Sequence, residues 1–544
     1  MDVDQLQQSY EDVPYPDLCY TQTHPDRLAT LATLLGMQPA AIDACRVLEL
    51  GCASGGNLIP MAYGLPGSQF LGIDFSAAQI SAGQKNINAL GLSNIELRQA
   101  DILALPADLG EFDYIIAHGV YSWVPPEVRD QLLAICRESL SADGIAYISY
   151  NTLPGWHMLG ALRNMMLYHS RKTSDPVERV AQSRELLDFL TEAVPAGEDP
   201  YGTFLQAYGS MIKAYSSFVT QEREHEHSGH ELLLHDELEA VNDPVYFHDF
   251  AIHAAEYGLQ YLVEADFARV VPTNFPPPVA QQLMKMSSDI IEVEQYMDFL
   301  RNRTLRQTLL CHQDVNIQRA LRPDPDKLAS FFIATYAQPT SSGVDLYDTS
   351  VVRFRGPDGS VLAIDHPVSK VAMLYLAQVS PQAVPFMDLF QFACRQVYQS
   401  EPPAEILTRD AMALSANIMR AYSYSTRLVE LHIHAPRFAL EGGQFPIASR
   451  VARQQAAAGS TRVSNLRHER VKLDPVSQHL LPYLDGQHDQ EQLLGILTGL
   501  VNNGELKLSD AEKESADAGD KAQILSKELA LNLGWLGRAA LLEA

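Results

Sequence analysis

The 544-residue sequence predicts an α/β chain. A mostly parallel sheet is expected, interrupted by a helical insertion and followed by winged-helix-like and small helical units. Three observations lead there. Between Arg46 and Asn151, short β-rich runs alternate with longer helical patterns, as when crossover helices join parallel strands. The strand candidates are nearly continuously apolar, as expected where helices cover both faces of a sheet. The chain is also too long for one compact domain, since domains cluster near ~100–150 residues.

Residues 1–39 form an N-terminal arm with Tyr15, Tyr20 and His24, placed either as a lid over the site or as a packed arm. Residues 40–157 carry the sheet, with strands at 46–50, 69–73, 95–99, 112–117 and 144–150 and helices at 57–64, 76–90 and 127–141. Across 158–235 the pattern turns helical, at 158–172, 176–194 and 201–226, with Leu186, Leu187, Leu190, Phe204, Leu205, Tyr208 and Ile212 at helical spacing. This insertion is expected either to pack on the core or to form a dimerisation surface.

FHDFAIHAAEYGLQYLVEAD (247–266) reads as a helix, a Tyr-Gly stop and a strand, and RQTLLCH (306–312) as another strand. Region 236–320 is therefore expected to complete the same sheet, an independent small domain being the alternative. LRPDPDK (321–327) marks a boundary. The hairpin at 351–365, helices at 367–378, 385–398 and 408–421 and the strand at 428–434 make 327–435 winged-helix-like. Its third helix is too weakly basic to read a DNA groove, which favours protein contact. Residues 436–544 read as a small helical unit behind a charged linker.

Composition narrows the function. Hydrophobic residues at 46% and charged residues at 20% fit a globular chain, and the net charge is −27. A polyanion partner needs a basic footprint, so nucleic acid and anionic membrane surfaces are disfavoured, whereas a basic peptide or an amine suits the charge. Cys19, Cys45, Cys52, Cys136, Cys311 and Cys394 are scattered without a CxxC pair, which reads as reduced thiols. The acidic start lacks a signal-peptide apolar run, and no apolar stretch of ~18 residues could span a bilayer. A cytoplasmic protein is expected.

The strongest motif is VLELGCASGGN (47–57). Gly51, Gly55 and Gly56 let the backbone turn tightly and approach a ligand. A glycine-rich loop alone is weak evidence. The spacing here is G-x-x-x-G-G rather than G-x-G-x-x-G, however, and Glu49 in the strand would repel a pyrophosphate but attract a cationic amino-acid moiety. Asp74, in LGIDFS at the end of strand two, can accept hydrogen bonds from both hydroxyls of a ribose. Asp101, in QADI at the end of strand three, is placed for an adenine amino group, with Ile102 packing on the ring. The structural alternatives are helix N-caps for Asp74 and Asp101 and a salt bridge for Glu49.

This constellation resembles the class I S-adenosylmethionine (AdoMet)-dependent methyltransferases, with their Rossmann-like sheet, over roughly residues 40–155. The resemblance implies that AdoMet is the cofactor. It implies that Gly51, Cys52, Ala53, Ser54 and Gly55 bind the methionine moiety, Asp74 the ribose and Asp101 the adenine, and that His118, Gly119 and Val120 line the cofactor. Glu49, Asn57, Phe75 and Ile102 complete that set. A narrower likeness is carried by SYEDVPYP and THPDRLATLATLLG (9–36), HGVYSWVP (118–125), SYNTLPGW (149–156), NDPVYFHDFAIHAAEYGLQYL (242–262) and RNRTLRQTLLCH (301–312). These segments resemble the bacterial group with a "methyltransferase regulatory domain", which includes rickettsial protein-lysine methyltransferases acting on outer-membrane surface proteins. A protein lysine is the acceptor this implies.

The acceptor candidates stand at two neighbouring strand ends, where α/β folds bind ligands. Tyr121, Trp123, Tyr150 and Trp156 are expected either to cage an alkylammonium or to cap the core. Many amino-group methyltransferases carry Asn/Asp-Pro-Pro-aromatic at the end of strand five. Here Asn151 is followed by Thr152, Leu153 and Pro154, so only the Asn is kept and its hold on the acceptor nitrogen stays open. His225, His227, His230 and His235 match no zinc spacing, and no metal is expected; His235 is kept as a candidate because it precedes the segment returning to the site. The function expected is AdoMet-dependent methylation of protein lysine. The alternatives are methylation of a small amine or natural product, and a non-catalytic AdoMet-binding regulator.

Overall fold

The computed structural model describes residues 18–106, 109–197, 199–220, 238–239, 241–319, 324–341, 345–398, 400, 402–506 and 518–544. The chain forms two compact units, one of residues 1–18, 43–264 and 275–315 and the other of 19–42, 265–274 and 316–544.

The first unit is built on strands β1 (Arg46–Leu50), β2 (Gln69–Asp74), β3 (Ile95–Gln99), β4 (Phe112–Ala117), β5 (Leu140–Asn151), β6 (Leu259–Glu264) and β7 (Leu305–His312). Their order is β3-β2-β1-β4-β5-β7-β6. Strands β1 to β5 pair in parallel, while β7 runs antiparallel to both β5 and β6. The order reverses between β1 and β4, and the crevice at that reversal is where open α/β sheets bind ligands. Continuously apolar strands produce this arrangement, since Val47, Leu48 and Leu50 in β1 and Tyr114 to Ala117 in β4 are all buried.

Helices in chain order are α1 (Pro25–Leu34, part of the second unit), α2 (Leu58–Gly64), α3 (Ala77–Leu90) and α4 (Pro126–Ser139). Then come α5 (Gly155–Ser170), α6 (Pro176–Ala193), α7 (Pro200–Thr220), α8 (Phe247–Glu256), α9 (Pro277–Met286) and α10 (Ile290–Arg301). Helix α3 starts where the Ser76 hydroxyl accepts from Gln79 N–H and stops at left-handed Gly91. Helices α5 to α7 share a core of Trp156, Leu159, Leu162, Met166, Val180, Leu187, Leu205 and Ile212.

A buried charge network ties β6 and β7 to α10. The fully buried Arg306 guanidinium meets Glu264 at 3.0 Å, Glu294 at 3.0 Å and Asp298 at 2.8 Å. It also lies 3.7 Å over the Phe247 ring of α8. Strand β5 begins at Leu140, earlier than the expected 144, because Leu140 pairs with Phe112 ahead of a register shift.

In the second unit, Phe332–Ala334 pairs with Val384–Pro385 and Glu430–His432, and a hairpin joins Val352–Arg355 to Val361–Ile364. Residues 19–42 belong here. The Asp26 carboxylate of α1 accepts from the backbone N–H groups of Ile433 and His434, both at 2.9 Å, and pairs with His432 at 2.7 Å. His24 caps α1 by accepting from Asp26 N–H, with its ring 5.3 Å from that of His468. Tyr15 lies outside the described residues. Residues 436–544 are not purely helical: Arg462–Ser464 and Arg470–Lys472 form an antiparallel pair among the helices. Its turn has no Gly or Pro, so the sequence read as linker.

Candidate active site

The loop after β1 is shaped by backbone geometry. Gly51 has φ +76° and Gly55 φ +79°, and a Cβ on Gly51 would meet Val120 Cγ2 at 2.6 Å. Only glycine fits such a left-handed, crowded position without strain. Ala53 is also left-handed, at φ +48°. The Asp74 carboxylate holds it there, one oxygen accepting from Ala53 N–H at 2.8 Å and the other from Ser76 N–H at 2.9 Å. Burial raises the Asp74 carboxyl while these backbone bonds oppose the rise. Asp74 therefore joins β1's loop to the start of α3, a role its sequence position did not reveal. The carboxylate keeps acceptor capacity for a ribose hydroxyl.

Glu49 is buried on β1 and forms no salt bridge among the described residues. Its Oε1 accepts from Asn57 Nδ2 at 2.7 Å, while its Oε2 is buried without a hydrogen-bond partner. Burial pushes the carboxyl up to about 8, the Asn57 bond opposing this and the nearby Asp74 charge adding to it. A buried acceptor without a donor is costly, and an ammonium group would satisfy it. The glycine cradle, the orphaned Glu49 oxygen and the spare acceptor capacity of Asp74 fit the amino-acid and ribose moieties of AdoMet.

The other cofactor residues are placed as follows. Cys52 is buried and its amide donates to Ile73 O, Ser54 and Asn57 are buried, and the Phe75 carbonyl accepts from Gln99 Nε2. Asp101 caps a short turn by accepting from Leu103 N–H at 2.9 Å, the alternative role foreseen for it, and Ile102 packs on the sheet core. Past β4, His118 Nδ1 lies 3.0 Å from both Tyr147 OH and Ser149 Oγ, and Gly119 N–H donates to Ser149 Oγ at 2.7 Å. Burial lowers the His118 imidazole to about 4, which keeps it neutral.

The acceptor candidates separate into two groups. Tyr150 is a core residue and not a pocket wall: it stacks on Phe250 at 4.1 Å and its hydroxyl pairs with Thr308 at 3.0 Å. Tyr121 is likewise buried, its hydroxyl 2.7 Å from His253 Nδ1, whose Nε2 lies 2.9 Å from Asp130. Burial raises both phenols well above their ordinary range, so neither is a base at neutral pH. Trp156 belongs to the core of the insertion, and half-buried Trp123 meets it edge to face at 6.4 Å. The four aromatics do not form one cage: Tyr121 and Tyr150 pack together on Phe250, whereas Trp123 and Trp156 pack with the core of the insertion. His235, with His225, His227 and His230, lies outside the described residues.

Asn151 ends β5 with its amide N–H donating to Ser122 Oγ at 2.9 Å and its side-chain nitrogen to Asn242 Oδ1 at 3.0 Å. Residues 242–245 run alongside. Asp243 N–H donates to Ser122 O, and Val245 N–H to Asn151 O. Asp243 also pairs with Arg129 of α4 at 2.6 Å. Ser122, Asn242, Asp243 and His253 were not singled out from sequence; the Asn-Asp-Pro run was the available signal for a fixed turn.

Comparison with known proteins agrees with this geometry. A family model described as "Methyltransferase domain" matches residues 47–144, a "Predicted methyltransferase regulatory domain" matches 229–312, and "PKMT, C-terminal winged helix domain" matches 445–541. The uncharacterized protein RP789 of Rickettsia prowazekii is 35% identical over 503 residues, 92% of this chain and 87% of that protein. The chain belongs to the PKMT family of methyltransferases. PKMT2 from Rickettsia typhi, solved in complex with AdoHcy, matches over 97% of this chain and 100% of its own, with a TM-score of 0.83 and 28% identity. A carboxy-S-adenosyl-L-methionine synthase of Dichelobacter nodosus is 26% identical over 143 residues, 26% of this chain and 59% of its own. As a PKMT family member, the protein is an AdoMet-dependent methyltransferase. The winged-helix model matches within 436–544, the region expected from sequence to be a small helical unit. No helix among the described residues is long and apolar enough to cross a membrane.

Proposed function

We propose that the protein transfers methyl groups from AdoMet to lysine ε-amines of a protein substrate. The observation that carries this reading is Asn151: a buried strand-end amide whose Oδ1 accepts no hydrogen bond among the described residues, its backbone tied to Ser122 next to half-buried Trp123, on the strand whose Ser149 meets the neutral His118. When bound, AdoMet supplies a methyl group on a sulfonium, open to in-line attack by a neutral nitrogen.

The residues of this chain meet the requirements of such an acceptor. A lysine amine, with an ordinary pKa near ~10.4, must lose its proton before it attacks. A partly dry approach beside Trp123 disfavours the ammonium form, and Asn151 Oδ1 is an acceptor that can orient the remaining N–H bonds. A neutral imidazole at His118 adds no positive charge against either reactant. The likeness to PKMT2 of Rickettsia typhi supports a protein acceptor. The insertion leaves Tyr168, Phe189, Tyr201 and Met211 exposed, which supports a homodimer through that surface.

Incubating the purified protein with methyl-labelled AdoMet and a bacterial lysate tests the reading. Label on lysine in digested protein is the expected result. Label confined to small molecules would make the acceptor a free amine, and AdoMet binding without transfer would leave a regulator.

A further inference from the structure

We propose that Asn242 is a positioning residue for methyl transfer, acting through Asn151. It lies in the segment matched as a predicted regulatory domain and fixes the amide of the acceptor-facing Asn151. The inference rests on the acceptor reading above.

Asn151 has four polar functions, and three are spent inside the protein. Its backbone N–H goes to Ser122 Oγ at 2.9 Å, its backbone carbonyl accepts from Val245 N–H at 3.2 Å, and its side-chain nitrogen goes to Asn242 Oδ1 at 3.0 Å. Among the described residues Oδ1 accepts no hydrogen bond, on a residue that is 6% exposed. The Asn242 acceptor decides which end of the Asn151 amide is left over. With a donor in its place the amide would rotate, leaving its nitrogen for a nucleophile that needs an acceptor.

Asn242 is itself held by its neighbours. Asp243 N–H donates to Ser122 O at 2.9 Å, and its carboxylate pairs with Arg129 at 2.6 Å. Val245 O then accepts from Leu153 N–H at 3.1 Å and Thr152 Oγ1 at 2.8 Å. Residues 242–245 thus fasten the segment that follows β4, which bears Trp123, to the end of β5, which bears Asn151. A shift of about 1 Å in an aligning group can cost on the order of a hundredfold in rate.

Two substitutions in the full-length protein separate positioning from folding. Asn242→Leu removes the acceptor at similar size, whereas Asn242→Asp keeps an oxygen that can accept from Asn151. The acceptor is poly-L-lysine, the donor is labelled AdoMet, and AdoMet affinity is measured in parallel by calorimetry. Asn242→Leu should lower kcat roughly tenfold to a hundredfold with AdoMet affinity unchanged, and Asn242→Asp should stay within about threefold of wild type. The proposal is overturned if both variants lose transfer equally, if neither does, or if Asn242→Leu loses AdoMet binding as well. Wild-type protein that labels no lysine would overturn the acceptor reading itself, an outcome visible before either variant is examined.

Discussion

With Glu49 at the amino-group site, cofactor binding is expected to be proton-coupled. Free, its carboxyl sits at about 8 and is largely protonated at pH 7. The ammonium of a bound methionine moiety favours the carboxylate, so binding at pH 7 should release close to one proton. Affinity should then tighten as pH rises towards 8. The same group acts in the opposite direction on the ligand-free fold. Its folded pKa lies above the ordinary 4.5, so the folded state holds the extra proton and stability falls as pH rises from about 4.5 to about 8. Calorimetry in two buffers of different protonation enthalpy measures the released proton, and Glu49→Gln should abolish it. No proton release from the wild type would remove Glu49 from the amino-group site. At this scale the glycine loop and its neighbouring acids were legible because their spacing is local in sequence. The second duty of Asp74, pinning Ala53, was not, because it depends on two strands lying side by side.

Among the elements, β6 and β7 were legible as apolar runs, but the force that holds them was not. Arg306 reads in sequence as one charge in a strand, yet three carboxylates from β6 and α10 converge on it. Removing one partner of such a buried cluster strands the others without compensation, which typically costs about 3–5 kcal/mol. Arg306→Ala should therefore lower the urea midpoint of the first unit's unfolding by that equivalent, whereas an exposed control such as Arg98→Ala should barely move it. Equal, small effects would mean that the network contributes no net stability. The aromatics misled for a related reason. Tyr150 and Trp156 sit at strand and helix ends like pocket residues, but β7 and the insertion arrive from distant sequence and bury them.

Across the whole molecule, sequence reading captured the sheet and its interruption but missed the strand pair near Arg462 and Arg470, whose turn lacks the Gly and Pro that mark the hairpin at 351–365. It also set residues 1–39 apart as an arm, whereas α1 is bound into the second unit through Asp26. That junction should be acid-labile. Burial lowers His24 to about 4, so the stability of its neutral form is lost as pH falls from about 6.5 to 4. Burial alone would raise Asp26, but His432 and Arg27 hold it at about 2, so its contribution persists until pH falls below about 3.8. Hydrogen exchange in peptides covering 25–34 and 430–434, corrected for intrinsic rates, should quicken between pH 7 and 5; unchanged protection would refute the clasp. The net charge of −27 adds that methylation of a basic substrate should slow with added salt.

The central claim is that one site divides its work, with the cofactor held beside β1 and β2 and an acceptor amine aligned by Asn151 between β4 and β5. The most direct measurement compares Asn151→Ala with wild type for two quantities, AdoMet affinity and the rate of methyl transfer to lysine. The account predicts a rate lower by roughly tenfold to a hundredfold at unchanged affinity, because the loss falls on alignment alone. Full transfer by the variant, or a loss of AdoMet binding that matches the loss of rate, would contradict it.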